Sequence, residues 1–196
     1  MYKEIFKWTA AVITQPSKAW KMLVAKERKE AELRDEEADD PFQTEYLYPF
    51  IGLLTIAAFL SLFTHKEFIL EQALKSSIIT CVSSFGGYYV AAYVLNEIGK
   101  SWFSFEKNLK LWQHFVGYSS ALMFTLNIVW MLLPDVFFLY IFILYTFYIV
   151  WEGATIYFSV GDAQRMKFTT ISTLLIIATP HIINKFLLLL MPGLRY

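Results

Sequence analysis

The polar residues are not spread evenly along the chain but gathered between five apolar blocks, near residues 46–63, 76–98, 113–133, 136–160 and 169–191. A membrane-spanning helix needs about 20 mainly apolar residues, and each block approaches or exceeds that length. The blocks are too long for strands, which run to about 5–6 residues. They also lack the polar stripes of a soluble amphipathic helix. The pattern predicts an all-α polytopic membrane protein with a bundle of five transmembrane helices. Residues 1–45 would form a cytoplasmic, amphipathic and charged helical region, and 46–196 the membrane domain.

Within the first 45 residues the pattern changes. Ile5, Trp8 and Val12 recur at helical spacing among Lys3, Glu4 and Lys7, so this segment is either an interfacial helix or one packed on the ends of the spans. Pro16 suits the first turn of a second helix, in which Trp20, Leu23 and Val24 form an apolar patch. The run that follows, KERKEAELRDEEADD, reads as a solvated helix with charge pairs four residues apart, then an acidic linker. A second charged stretch, GKSWFSFEKNLKLWQHF, mixes aromatic and basic residues in the manner of an interfacial segment.

Charge decides the orientation. Thirteen lysines and arginines lie in the segments on the N-terminal side of the spans, and only Lys66, Lys75 and Arg195 on the other. The positive-inside bias therefore predicts a cytoplasmic N-terminus and an external C-terminus. A formal net charge of zero argues against nucleic acid as a partner. The implied surroundings are the lipid bilayer, together with other membrane proteins or further copies of this chain.

Small residues four apart mark faces where helices approach closely in lipid. Ser83, Gly87 and Ala91 form one such face, and Gly117, Ala121 and Thr125 another. Pro180 removes a backbone donor inside the fifth span and predicts a kink. The polar residue that stands out is Glu152, in the fourth span. Counted at ~1.5 Å per residue it lies ~12 Å below the surface, level with Tyr89, Tyr118, Ser119 and Ser120 on other helices. The expectation is an inward, neutral glutamate hydrogen-bonded across helices. His181, Asn184 and Lys185 form a second candidate cluster beside Pro180, though the Lys185 stem could also snorkel to the interface.

No catalytic motif is present, and the three histidines are not spaced for a metal. The stretch SVGDAQ approaches the G-x-G-D of intramembrane aspartyl proteases, but no second aspartate lies in another span to share the proton work. No cofactor, catalytic residue or metal is expected.

Three segments resemble the Yip domain family of Ypt/Rab-interacting proteins: QPSKAWKML near the N-terminus, HFVGYSSALM in the third span, and WEGATIYFSVGDAQRMKF in the fourth and the turn after it. Ala121, Leu122 and Met123 stand where that family often has a proline, so the resemblance carries no kink into the third span. It implies a non-enzymatic integral membrane protein that binds or scaffolds membrane proteins or lipids. The short lead-in points to a bacterial-type member in the inner membrane. The contrasting reading is a small transporter or channel using Glu152 and the Pro180-His181-Asn184-Lys185 region as a polar pathway.

Overall fold

A computed structural model of the chain describes residues 2–33, 40–64 and 69–191. The described residues hold helices and no strand. Two N-terminal helices, α1 (Tyr2–Thr14) and α2 (Pro16–Leu33), precede the spans. The acidic run at 34–39 lies outside the described residues. A π-helical turn, Gln43–Leu47, leads into α3 (Tyr48–Ser61). Then come α4 (Leu70–Phe103), α5 (Leu109–Ser119), α6 (Ala121–Leu132), a 3₁₀ stretch Pro134–Tyr145 that continues as α7 (Thr146–Ile156), and α8 (Asp162–Leu190). Among the described residues, four helical segments are long and apolar enough to cross a membrane: Gln43–Ser61, Leu70–Phe103, Pro134–Ile156 and Asp162–Leu190. With α5 and α6 taken as one bent span, there are five.

That third span bends by 42° at Ser120. No proline is needed, because the Ser120 hydroxyl donates to the Val116 carbonyl (2.7 Å), a back-bond that tends to bend helices.

The bundle is longer than a bilayer is thick. At ~1.5 Å per residue, the 34 residues of α4 cover ~51 Å against a hydrocarbon core of ~30 Å. Side-chain exposure shows where the excess lies. Apart from Trp102 and Met166 farther along, exposed large apolar residues end at Tyr93 on α4, begin at Leu174 on α8, and run from Phe137 to Tyr148 on the fourth span. Gly87 and Thr179 are in register, since the Thr179 hydroxyl donates to the Gly87 carbonyl (2.9 Å), so Tyr93 and Leu174 stand at nearly one level. Beyond that rim the ends of α4, α5, α7 and α8 join α1 and α2 in a second layer, with a continuous core that includes Trp8, Trp20, Trp112, Phe115 and Phe168. The Ile5, Trp8, Val12 periodicity thus belongs to a packed helix, with all three side chains buried.

The Ser83, Gly87, Ala91 face is buried in the bundle. A Cβ on Gly87 would stand 2.5 Å from the Pro180 Cα, which is backbone and cannot swing aside. Pro180 thus sits at the crossing of α4 and α8, and α8 is helical on both sides of it. Gly87→Ala is expected to destabilise the bundle by about 1–3 kcal/mol, the usual cost of overpacking. Gly86→Ala, whose Cβ would meet only the Ile183 side chain at 3.2 Å, should cost less. Thermal unfolding of both variants in detergent checks the order.

Candidate functional site

Helix α2 has two faces. Pro16, Ala19, Trp20 and Leu23 recur at helical spacing and are buried, and Glu27 continues the same stripe one turn on. Trp20 enters the bundle at Gly153, where a Cβ would lie 2.8 Å from both the Trp20 and Phe115 rings. Its indole N–H donates to the Ile149 carbonyl (2.9 Å). Phe115 and Tyr157 each flank it at 5.4 Å between ring centroids, with Tyr118 edge-on at 6.4 Å. Helix α1 reaches the same place, its Trp8 ring 6.3 Å from Tyr118 and its indole N–H bonded to Glu4 (2.9 Å).

Helix α5 is fixed from the other side. A left-handed residue, Ser104 at φ 58°, ends α4. The Asn96 side chain receives the Asn108 N–H (3.1 Å), and Asn108 caps α5 by accepting from the Leu111 N–H (3.1 Å). Gly99 lets Trp112 close against α4, since a Cβ there would fall 2.4 Å from the indole. These constraints set His114, two residues later, facing α2.

His114 is the centre of a charged network. Its Nδ1 lies 2.7 Å from Glu27 Oε1 and its Nε2 lies 2.6 Å from Asp40 Oδ2. Ionised carboxylates can only accept, so both ring nitrogens donate and the ring in this arrangement is an imidazolium. The second oxygen of Glu27 receives the Tyr157 hydroxyl, and that of Asp40 receives the Phe42 N–H (3.1 Å). Lys110 stands 3.8 Å from Asp40. The His114, Asp40 and Glu27 side chains are only 7%, 13% and 24% exposed, so water screens the group poorly. Burial pushes the Asp40 carboxyl up, but the bond and charge of His114, the Phe42 N–H and Lys110 together hold it below the ordinary carboxylate range. Burial, and then the neighbouring Glu27, push the Tyr157 phenol far up, so it stays a donor. Four separate segments are tied at this one point: α2, the approach to α3, α5 and the end of α7.

The sequence pattern missed this network. In the sequence Glu27 and Asp40 sit inside the charged run KERKEAELRDEEADD, and His114 inside the aromatic and basic stretch GKSWFSFEKNLKLWQHF. The available signal was the buried stripe of α2, whose next position after Leu23 is Glu27.

The residues expected around Glu152 do not converge on it. Tyr118 and Ser120 are buried, at 2% each, and Ser119 at 0%. Tyr118 faces Phe42 and Tyr46, each at 4.8 Å, and Gly117 beneath it makes room for the Phe42 ring. Ser120 bonds within its own helix, and the Ser119 hydroxyl is enclosed and unbonded. Tyr89 pairs instead with Tyr48 across helices (3.0 Å). Glu152 is half-buried, with Tyr145 two turns earlier as its electrostatic neighbour. The 3₁₀ geometry explains its position. Twelve residues at ~2.0 Å each from Pro134 cover ~24 Å, so a ~30 Å core is crossed about four residues into α7, just before Glu152.

The described bonds of His181 go to neither Asn184 nor Lys185. Its Nδ1 meets the Ile177 carbonyl (2.8 Å) and its Nε2 the Tyr140 hydroxyl (3.1 Å), which lies 3.2 Å from Asn127 Oδ1. Ala121, of the second small-residue face, is fully buried, and Gly117 is buried with it. Among the described residues no group of His, Cys, Asp and Glu is placed to hold a metal ion.

This is a polytopic helical membrane protein with a helical layer clamped to one end of its spans. The Yip1 domain matches residues 10–183, and the chain belongs to that family. The match spans all four segments of the charged network. Neither the curated proteins nor the solved structures include a significant match to the chain.

Proposed function

We propose that the protein is a non-enzymatic scaffold that binds other membrane proteins or lipids. It would sit in a bacterial inner membrane with its N-terminus cytoplasmic and its C-terminus outside. On this reading residues 1–45 belong to the cytoplasmic side and 46–196 form the membrane domain. The observation that carries the proposal is the network around His114. Its buried members bond to one another and to the Phe42 N–H, an arrangement suited to joining helices. What it does is tie α2 to α5 and the end of α7, and a pre-organised surface binds with less entropic cost. The transporter reading finds no such support: His181 bonds to Ile177 and Tyr140, and no described contact joins it to Glu152.

Crosslinking in native membranes, followed by identification of the captured species, tests this. The wild-type chain should give discrete crosslinked proteins from probes on α1 and α2. Glu27→Gln combined with His114→Gln loosens the layer and should weaken those crosslinks selectively, relative to probes on α8. An unchanged pattern, or no discrete product from either protein, overturns the scaffold reading.

A further inference from the structure

We infer that the outward faces of α1 and α2 form a binding surface for anionic lipid headgroups. The inference rests on the scaffold reading and names one ligand class for it. On α1, Lys3, Phe6 and Lys7 point outward, and on α2 Lys18, Lys21 and Met22 do, each set at the spacing of one helix face. Arg28 and Lys29 continue the exposed surface of α2. Among the described side chains of residues 3–29, neither acidic residue is exposed. Glu4 is half-buried against Trp8, and Glu27 is held in the network. Between residues 3 and 29 the exposed charges are therefore all basic, with Glu4 half-buried 3.9 Å from Lys7, and two apolar side chains stand out from this stretch, Phe6 at 69% and Met22 at 51% exposed.

The level of this surface identifies its partner. Lys18 and Lys21 bracket Trp20, whose indole is bonded to the Ile149 carbonyl. The exposed apolar run of that same span ends at Tyr148, one residue away. The two lysines thus stand at the rim of the apolar belt, where lipid phosphates lie, with Met22 able to dip into the acyl boundary. Two further aromatic and basic pairs lie in the layer beyond that rim. Arg165 lies over the Trp151 ring at 5.2 Å and Lys167 over Trp102 at 4.9 Å. A basic helix face with apolar wedges at headgroup level matches anionic lipid in charge and in polarity.

The test uses the full chain in a neutral detergent, titrated with phosphatidylglycerol or phosphatidylcholine and read by native mass spectrometry. Wild type should retain phosphatidylglycerol well above phosphatidylcholine. A basic residue near an anionic surface contributes roughly fivefold in affinity, so Lys18→Gln with Lys21→Gln should weaken phosphatidylglycerol binding by roughly 30-fold at low salt. Phosphatidylcholine binding should not change. Lys18→Arg with Lys21→Arg should restore wild-type behaviour, and Lys75→Gln, at the far end of α4, should leave it intact. Equal retention of the two lipids by wild type overturns the inference, as does equal phosphatidylglycerol binding by wild type and the double glutamine variant. Displacement of the lipid by an acidic peptide at comparable concentration also overturns it, in favour of a protein occupant. Loss of the lipid effect with protein crosslinks intact sinks only this inference, whereas loss of the crosslinks sinks the scaffold reading.

Discussion

Trp20→Ala is expected to lower the stability of the protein in detergent by about 3–5 kcal/mol, the range for deleting a buried aromatic side chain. Trp20 is fully buried and touches the rings of three residues from α5 and the end of α7. It also supplies the one described hydrogen bond from α2 to the backbone of α7. Trp20→Phe separates the two contributions. It keeps most of the ring contact and loses the N–H, which should cost nearer 1 kcal/mol for the missing bond plus a smaller packing term. The direct readout is undocking of the layer. Protease cleavage at Lys18 and Lys21 should accelerate strongly in the alanine variant and only slightly in the phenylalanine one. Equal cleavage rates in wild type and Trp20→Ala would mean that the indole does not anchor α2.

His114→Ala should be comparably damaging for a different reason. Removing the imidazolium leaves Glu27 and Asp40 facing one another with little water, and breaking such a buried network costs about 3–5 kcal/mol. Most of that penalty is uncompensated charge rather than lost contact. Neutralising the carboxylates in the same background, with Glu27→Gln and Asp40→Asn, should therefore recover more than half of the loss. Melting temperatures of wild type, His114→Ala and the triple variant decide it. A triple variant no more stable than His114→Ala would show that the histidine acts by packing alone, against the 4.5 Å contact of its ring with Phe42.

The features visible in the sequence and those that were hidden differ in range. Spans are local: a run of apolar residues such as 169–191 declares itself without reference to any other part of the chain. Gly87 was also visible, because close approach leaves a mark at a fixed spacing. The network was not, because its meaning lies in pairs far apart, such as Glu27 with Tyr157. A charged residue in a charged run looks solvated unless the face it shares with Trp20 is followed one turn further. The depth of Glu152 depends on the rise of its span, and the 3₁₀ stretch from Pro134 lengthens the outer part of that span relative to an α-helix. The long 3₁₀ segment has no marker in its sequence beyond the proline that opens it.

The Trp20 seat has a consequence for how the chain is made. Its partners lie between Phe115 and Tyr157, so α2 docks on surfaces made about a hundred residues or more after it. At about 5–20 residues per second, α2 waits on the order of ten seconds for Ile149 and Gly153 to arrive. Until then the Trp20 seat lacks the Ile149 carbonyl and the space at Gly153, so the N-terminal layer is a clasp that closes only after the end of the fourth span has been made.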